Sequence, residues 1–124
     1  MRQWTFTAGV GSDEQSALQL KIGSAVEDWS NPALIGQYCC VEYDGKAYPG
    51  VIRNTDESDV EVQCMHAVGE NCFFWPYRRA DICWYPANRV LALIPEPRNV
   101  TNSHKAVEPA VWAAMKRKLS DLLS

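Results

Sequence analysis

Between Gly36 and Pro95 short runs of alternating apolar and polar residues are separated by turn-forming residues, the pattern of a β-rich segment. Tyr38 to Tyr43 reads as a first strand, Asp44-Gly45 as the turn behind it and Lys46 to Arg53 as its antiparallel partner. Asp-Gly between two apolar runs is a strong hairpin signal, because the favoured tight turn needs positive φ and glycine adopts it without steric cost. Pro49 interrupts the second run and is tolerable only at an edge or a bulge, since proline donates no ladder hydrogen bond. Asn54 to Asp59 is a polar, acidic turn. In Val60 to Met65 the alternation puts Val60, Val62 and Cys64 on one face and Glu61, Gln63 and Met65 on the other. Gly69-Glu70-Asn71 turns the chain into a strand at Cys72 to Trp75; Ile82 to Tyr85 and Arg89 to Ile94 complete the set, and Pro95 and Pro97 stop it. Short strands at this spacing point to a small barrel or sandwich rather than an α/β enzyme.

The pattern changes to helical spacing at both flanks. Ser12-x-x-Gln15 fits a capping box, and Leu18, Ile22, Val26 and Trp29 recur on one helical face, predicting a helix from Asp13 to Trp29 that ends at Asn31-Pro32. At the other end Pro109 suits a first helical turn, and Val111, Trp112, Met115, Leu119, Leu122 and Leu123 predict an amphipathic helix from Glu108 to Leu123. The predicted organisation is an N-terminal extension over residues 1–33, a β-barrel over 34–97, and a linker with a C-terminal amphipathic helix over 98–124.

Charge narrows the functional classes. A net charge of −3 over 124 residues, with a pI near 5.3, gives no overall basic footprint for a phosphate backbone. Nucleic-acid binding would rest on local clusters, Arg78-Arg79 and Lys116-Arg117-Lys118. The opening Met-Arg-Gln-Trp-Thr-Phe-Thr lacks the apolar stretch of a secretory signal, so the five cysteines are expected to be reduced thiols in a nuclear or cytoplasmic protein.

Metal and catalytic chemistry find little support. Cys64, His66, Cys72 and Cys83 are separated by one, five and ten residues, which matches no standard zinc-ligand pairing. Cys39 and Cys40 point to opposite faces of their strand and cannot easily serve one site. Gly-x-Ser-x-Gly, a phosphate loop and His-Glu-x-x-His are all missing. The expectation is a non-enzymatic protein without metal or cofactor.

Tyr43-Asp44-Gly45-x-x-Tyr48-Pro49-Gly50-Val51-Ile52 resembles the first hairpin of Tudor-like domains, where an aromatic precedes an acidic-Gly turn and a Tyr-Pro-Ala-x-Ile/Val strand follows. The resemblance covers roughly residues 36 to 95 and is specific over these ten. It implies a five-stranded SH3-like barrel whose aromatic cage receives methylated Lys or Arg, with Tyr43 and Tyr48 matching the cage aromatics of the first hairpin. The family usually offers further aromatics after the third strand and within a Tyr-Gly-Asn turn. Here those places hold Cys64, Met65 to Val68 and Gly69-Glu70-Asn71.

Phe74, Trp75 and Trp84 are then the candidates for the remaining ligand surface, although Phe73 and Trp75 share a strand face and compete for a place in the core. The wider aromatic-proline run, with Phe73-Phe74-Trp75-Pro76 and Trp84-Tyr85, also resembles an accessory module of transposon-derived animal proteins. The expected function is recognition of a peptide, or of a histone tail methylated on Lys or Arg. One alternative is a nucleic-acid-binding accessory domain using Arg78, Arg79, Lys116, Arg117 and Lys118. Another is a structural oligomerisation or docking domain using the C-terminal helix.

Overall fold

A computed structural model describes residues 25–124. The chain is mainly β, with two antiparallel sheets and one C-terminal helix. The strands are β1 (Tyr38–Tyr43), β2 (Lys46–Thr55), β3 (Asp59–Cys64), β4 (His66–Gly69), β5 (Cys72–Phe74), β6 (Asp81–Pro86), β7 (Val90–Ile94), β8 (Arg98–Asn99) and β9 (Lys105–Ala106), followed by α1 (Pro109–Leu123). The five-stranded sheet runs β6-β3-β2-β1-β7 and the four-stranded sheet β4-β5-β9-β8. Its edge strands β6 and β7 do not pair with each other, so the larger sheet is open and no closed barrel forms among the described residues.

The β1–β2 hairpin forms at the Asp-Gly signal. Asp44 has φ 53° and Gly45 φ 78°, the two positive values that a two-residue turn of this hand requires. Tyr43 and Lys46 close the hairpin. The Gly45 N–H donates to Glu42 Oε2 at 2.9 Å, and Arg89 Nη1 forms an ion pair with Glu42 Oε1 at 3.1 Å. Glu42 thereby ties the hairpin tip to the short 3-10 turn Ala87–Arg89 between β6 and β7.

Pro49 lies in an interior strand, not at an edge. Hydrogen-bonded pairs alternate along an antiparallel ladder. Counting from Tyr43–Lys46, Cys40–Pro49 is a non-bonded pair, and the pairing of β2 with β3 starts one residue later, at Gly50–Cys64. Proline therefore costs no bond to β1, and towards β3 it stands at the end of the ladder, where its carbonyl still accepts the Met65 N–H at 2.9 Å. At Gly50 the two strands approach so closely that a Cβ would lie 2.5 Å from the Gln63 carbonyl oxygen and 2.7 Å from Val62 Cγ1.

Both faces of β1 are buried. Cys39 and Val41 join Ile52, Val60, Val62, Cys64, Tyr85 and Val90 in a first core, on the face that the β3 alternation predicts. Cys40 points the other way, into a second core with Met65, Phe73, Val107, Val111 and Met115. The C-terminal segment joins this second core: β9 pairs with β5, and α1 lays its first turns on the sheet. Asn71, with φ 50°, stitches the β4–β5 turn to this segment; its side chain accepts the Val107 N–H at 2.8 Å and donates to the Val107 carbonyl at 2.7 Å.

Most of the predicted N-terminal helix lies outside the described residues. Its described end, Ala25 to Trp29, is not helical, although Val26 and Trp29 pack against the first core. A 3-10 turn over Pro32–Leu34 follows, with Asn31 Oδ1 accepting the Ala33 N–H at 2.9 Å. No helix among the described residues is long and apolar enough to cross a membrane.

Candidate functional site

Residues opposite each other on adjacent strands share a face, so the registers Val41–Tyr48 and Val60–Tyr85 put Tyr43, Tyr48 and Tyr85 on the face that carries the first core. They differ in depth. Tyr85 is buried, Tyr48 is half-buried against the core, and Tyr43 is 63% exposed at the hairpin tip.

Two grooves meet at this rim. The first, of about 620 Å³, is lined by Tyr43, Lys46, Tyr48, His66, Glu70, Phe73, Asp81, Tyr85, Trp112 and Lys116 among others. The second, of about 590 Å³, is lined by Glu42, Tyr43, Asp44, Asp81, Cys83, Trp84, Tyr85, Pro86 and Arg89. Tyr43, Asp81 and Tyr85 border both. The structure therefore brings Tyr43 and Tyr48 together in one groove, and Tyr43 and Trp84 in the other. Phe74 and Trp75 line neither: Trp75 packs against the second core, and Phe74 sits edge-on to the His66 ring at 6.0 Å between centroids.

The basic candidates are scattered. Arg78 and Arg79 are exposed in the β5–β6 connection, where the Arg78 guanidinium lies 5.8 Å from the centroid of the Tyr77 ring. Lys116 reaches the first groove, but its Nζ donates to Glu70 Oε1 at 2.6 Å; Arg117 and Lys118 are exposed on α1 and line neither groove.

Charge in the grooves is predominantly compensated or acidic. Arg89 is neutralised by Glu42, and the Asp81 carboxylate meets His66 Nε2 at 2.8 Å. Asp44 has no cationic partner among the described residues.

Three of the thiols, Cys39, Cys40 and Cys64, are buried in the cores. Burial, together with neighbouring thiols, pushes Cys39 and Cys40 well up. Burial likewise pushes Cys64 up to about 12, against the opposing hydrogen bond from Tyr85, whose hydroxyl lies 3.3 Å from its sulfur. The Tyr85 hydroxyl is itself raised, mainly by burial. Cys83 is exposed, and slight desolvation plus the adjacent Asp81 raise it too. A reactive cysteine needs the opposite environment. Cys64 and Cys72 belong to different strands and surroundings, and no group of His, Cys, Asp or Glu that could hold a metal occurs among the described residues.

Sequence reading missed Glu42, Asp81 and Arg89 as groove residues. Each is unremarkable in its own stretch of chain; only the placement of β6 beside β3, and of the 3-10 turn beside the hairpin, collects them. Compared with protein-family models, curated proteins and solved structures, the chain has no match.

Proposed function

We propose that this protein is a non-catalytic recognition module that binds a basic peptide side chain, methylated Lys or Arg in the sharpest form of the reading, at the rim where the two grooves meet. One observation carries it: the exposed Tyr43 ring, fixed on a tight hairpin, borders both grooves together with the Tyr85 ring and the Asp81 carboxylate. Aromatic faces and a carboxylate are complementary to a cation whose methyl groups have weakened its hydration. The finer fold assignment belongs to the same proposal. A consecutive β1-β2-β3-β6 meander, a 3-10 turn and a last strand returning to β1 are the connectivity of an SH3-like barrel, with β4–β5 as an insertion. A nuclear setting would suit such a reader.

The test is titration of the chain with peptides carrying unmodified and trimethylated lysine, with a DNA duplex alongside. Methylation-dependent binding is expected, weakened roughly tenfold in Tyr43→Ala. That variant should stay folded, because the ring is largely exposed, whereas Tyr48→Ala also removes core packing. Salt-sensitive DNA binding without a peptide response would sink the proposal. It would promote a second reading, on the exposed Tyr77-Arg78-Arg79 connection, which pairs a ring for stacking with two cations.

A further inference from the structure

Among the described residues the outer edge of β6 is open, in a way that sequence does not reveal. The Ala87 N–H donates to the Ser58 carbonyl at 3.0 Å, which sets the parity of the β3–β6 ladder. Continuing the register, Val60–Tyr85, Val62–Cys83 and Cys64–Asp81 are the bonded pairs. The N–H and C=O groups of Ile82 and Trp84 therefore point away from β3, and among the described residues no strand lies beyond them. Proteins usually blunt such an edge with charge, a bulge or proline. Here Pro86 removes one donor at the far end, but Ile82 and Trp84 are uncovered among the described residues, 41% and 43% exposed.

The second groove runs along this same strand, and its carboxylates Glu42, Asp44 and Asp81 face one guanidinium, Arg89, already held by Glu42. We infer that β6 is a docking edge for an extended basic peptide, which adds as a sixth strand to the larger sheet. Main-chain bonds to Ile82 and Trp84 hold the peptide, and alternate Lys or Arg side chains fall on the groove side, towards Asp44 and Asp81. Strand addition gives affinity through the backbone and specificity through alternate side chains. The inference deepens, and rests on, the peptide-recognition reading above, because it supplies the main-chain part of the same site.

Amide hydrogen exchange of the full chain, measured with and without a short unstructured peptide of alternating Lys and Thr, tests it. With peptide at saturation, exchange at Ile82 and Trp84 should slow at least ~tenfold, while Cys83 and Tyr85, already bonded to β3, should not change. Ile82→Pro deletes one outward donor without touching the β3 ladder and should weaken binding roughly tenfold; Ile82→Thr keeps the donor and should bind like the unaltered chain. A Glu-Thr peptide should not bind.

Binding that leaves the Ile82 and Trp84 amides unchanged overturns the inference, as does failure of the Lys-Thr peptide to bind at low salt. Protection that grows with protein concentration alone also overturns it, since two copies would then be pairing at this edge. If Ile82→Pro does not fold, exchange in the unaltered chain decides alone. The two readings separate in Tyr43→Ala: retained edge protection leaves strand addition standing without the aromatic site, and binding lost in that variant with no edge protection in the parent leaves the aromatic site without the strand.

Discussion

A single methyl group decides the geometry at Gly50. A Cβ there would meet the Gln63 carbonyl at 2.5 Å, and backbone, unlike a side-chain tip, cannot swing away. Gly50→Ala should therefore separate β2 from β3 and cost roughly 3 kcal/mol, read as a lower urea midpoint with little change in slope. The Tyr-Pro-Gly signal was visible in the sequence, but the reason for its glycine was not, because the clash comes from a strand over ten residues away. Tyr43 and Tyr48 were legible as a pair on one face. That one of them is exposed and the other half-buried follows from the hairpin tip overhanging the core, a matter of depth that alternation does not encode.

At the scale of the element, the hairpin is held by more than its turn. Glu42 accepts from the Gly45 N–H and pairs with the Arg89 guanidinium, so Glu42→Ala removes one charge-assisted bond and one ion pair and leaves Arg89 without that partner. A loss of about 1–2 kcal/mol is expected by thermal or urea unfolding. Binding by Tyr43 should fall further than stability alone explains, because the ring loses its fixed platform. The larger strands were readable because one face of each is buried and the alternation is clean, as in Val60, Val62 and Cys64. β4 was not legible, because all four of its residues are exposed and no alternation marks them. β8 and β9 are two residues each, too short to carry a pattern. The C-terminal helix was legible from its apolar spacing, but its early apolar face is covered: Val111, Ala114 and Met115 are buried in the second core, which weakens the idea of that helix as a free docking face.

At the scale of the whole molecule, buried thiols make stability depend on alkaline pH. The Cys64 thiol ionises near 9.0 ordinarily and near 12 in the fold, so the folded chain keeps a proton that the unfolded chain releases. Its contribution is complete below about pH 9 and declines as pH rises through about 12, at ~1.4 kcal/mol per pH unit. Cys39 and Cys40, raised in the same direction, add to this decline. The urea midpoint should be flat through neutral pH and fall steeply above about pH 9, with a shallower fall in Cys64→Ala. Sequence could place these cysteines in strands. It could not assemble the grooves, whose walls come from residues 42–48, 66–73, 81–89 and 112–119 through a strand order that no local pattern states.

Cys39 and Cys40, adjacent in the chain and buried on opposite faces of β1, have a consequence for how the molecule comes apart. A strand common to both cores cannot leave one without exposing the other. The two hydrophobic clusters are therefore one cooperative unit in unfolding, and a partly opened state that keeps either of them intact has no strand left to build it on.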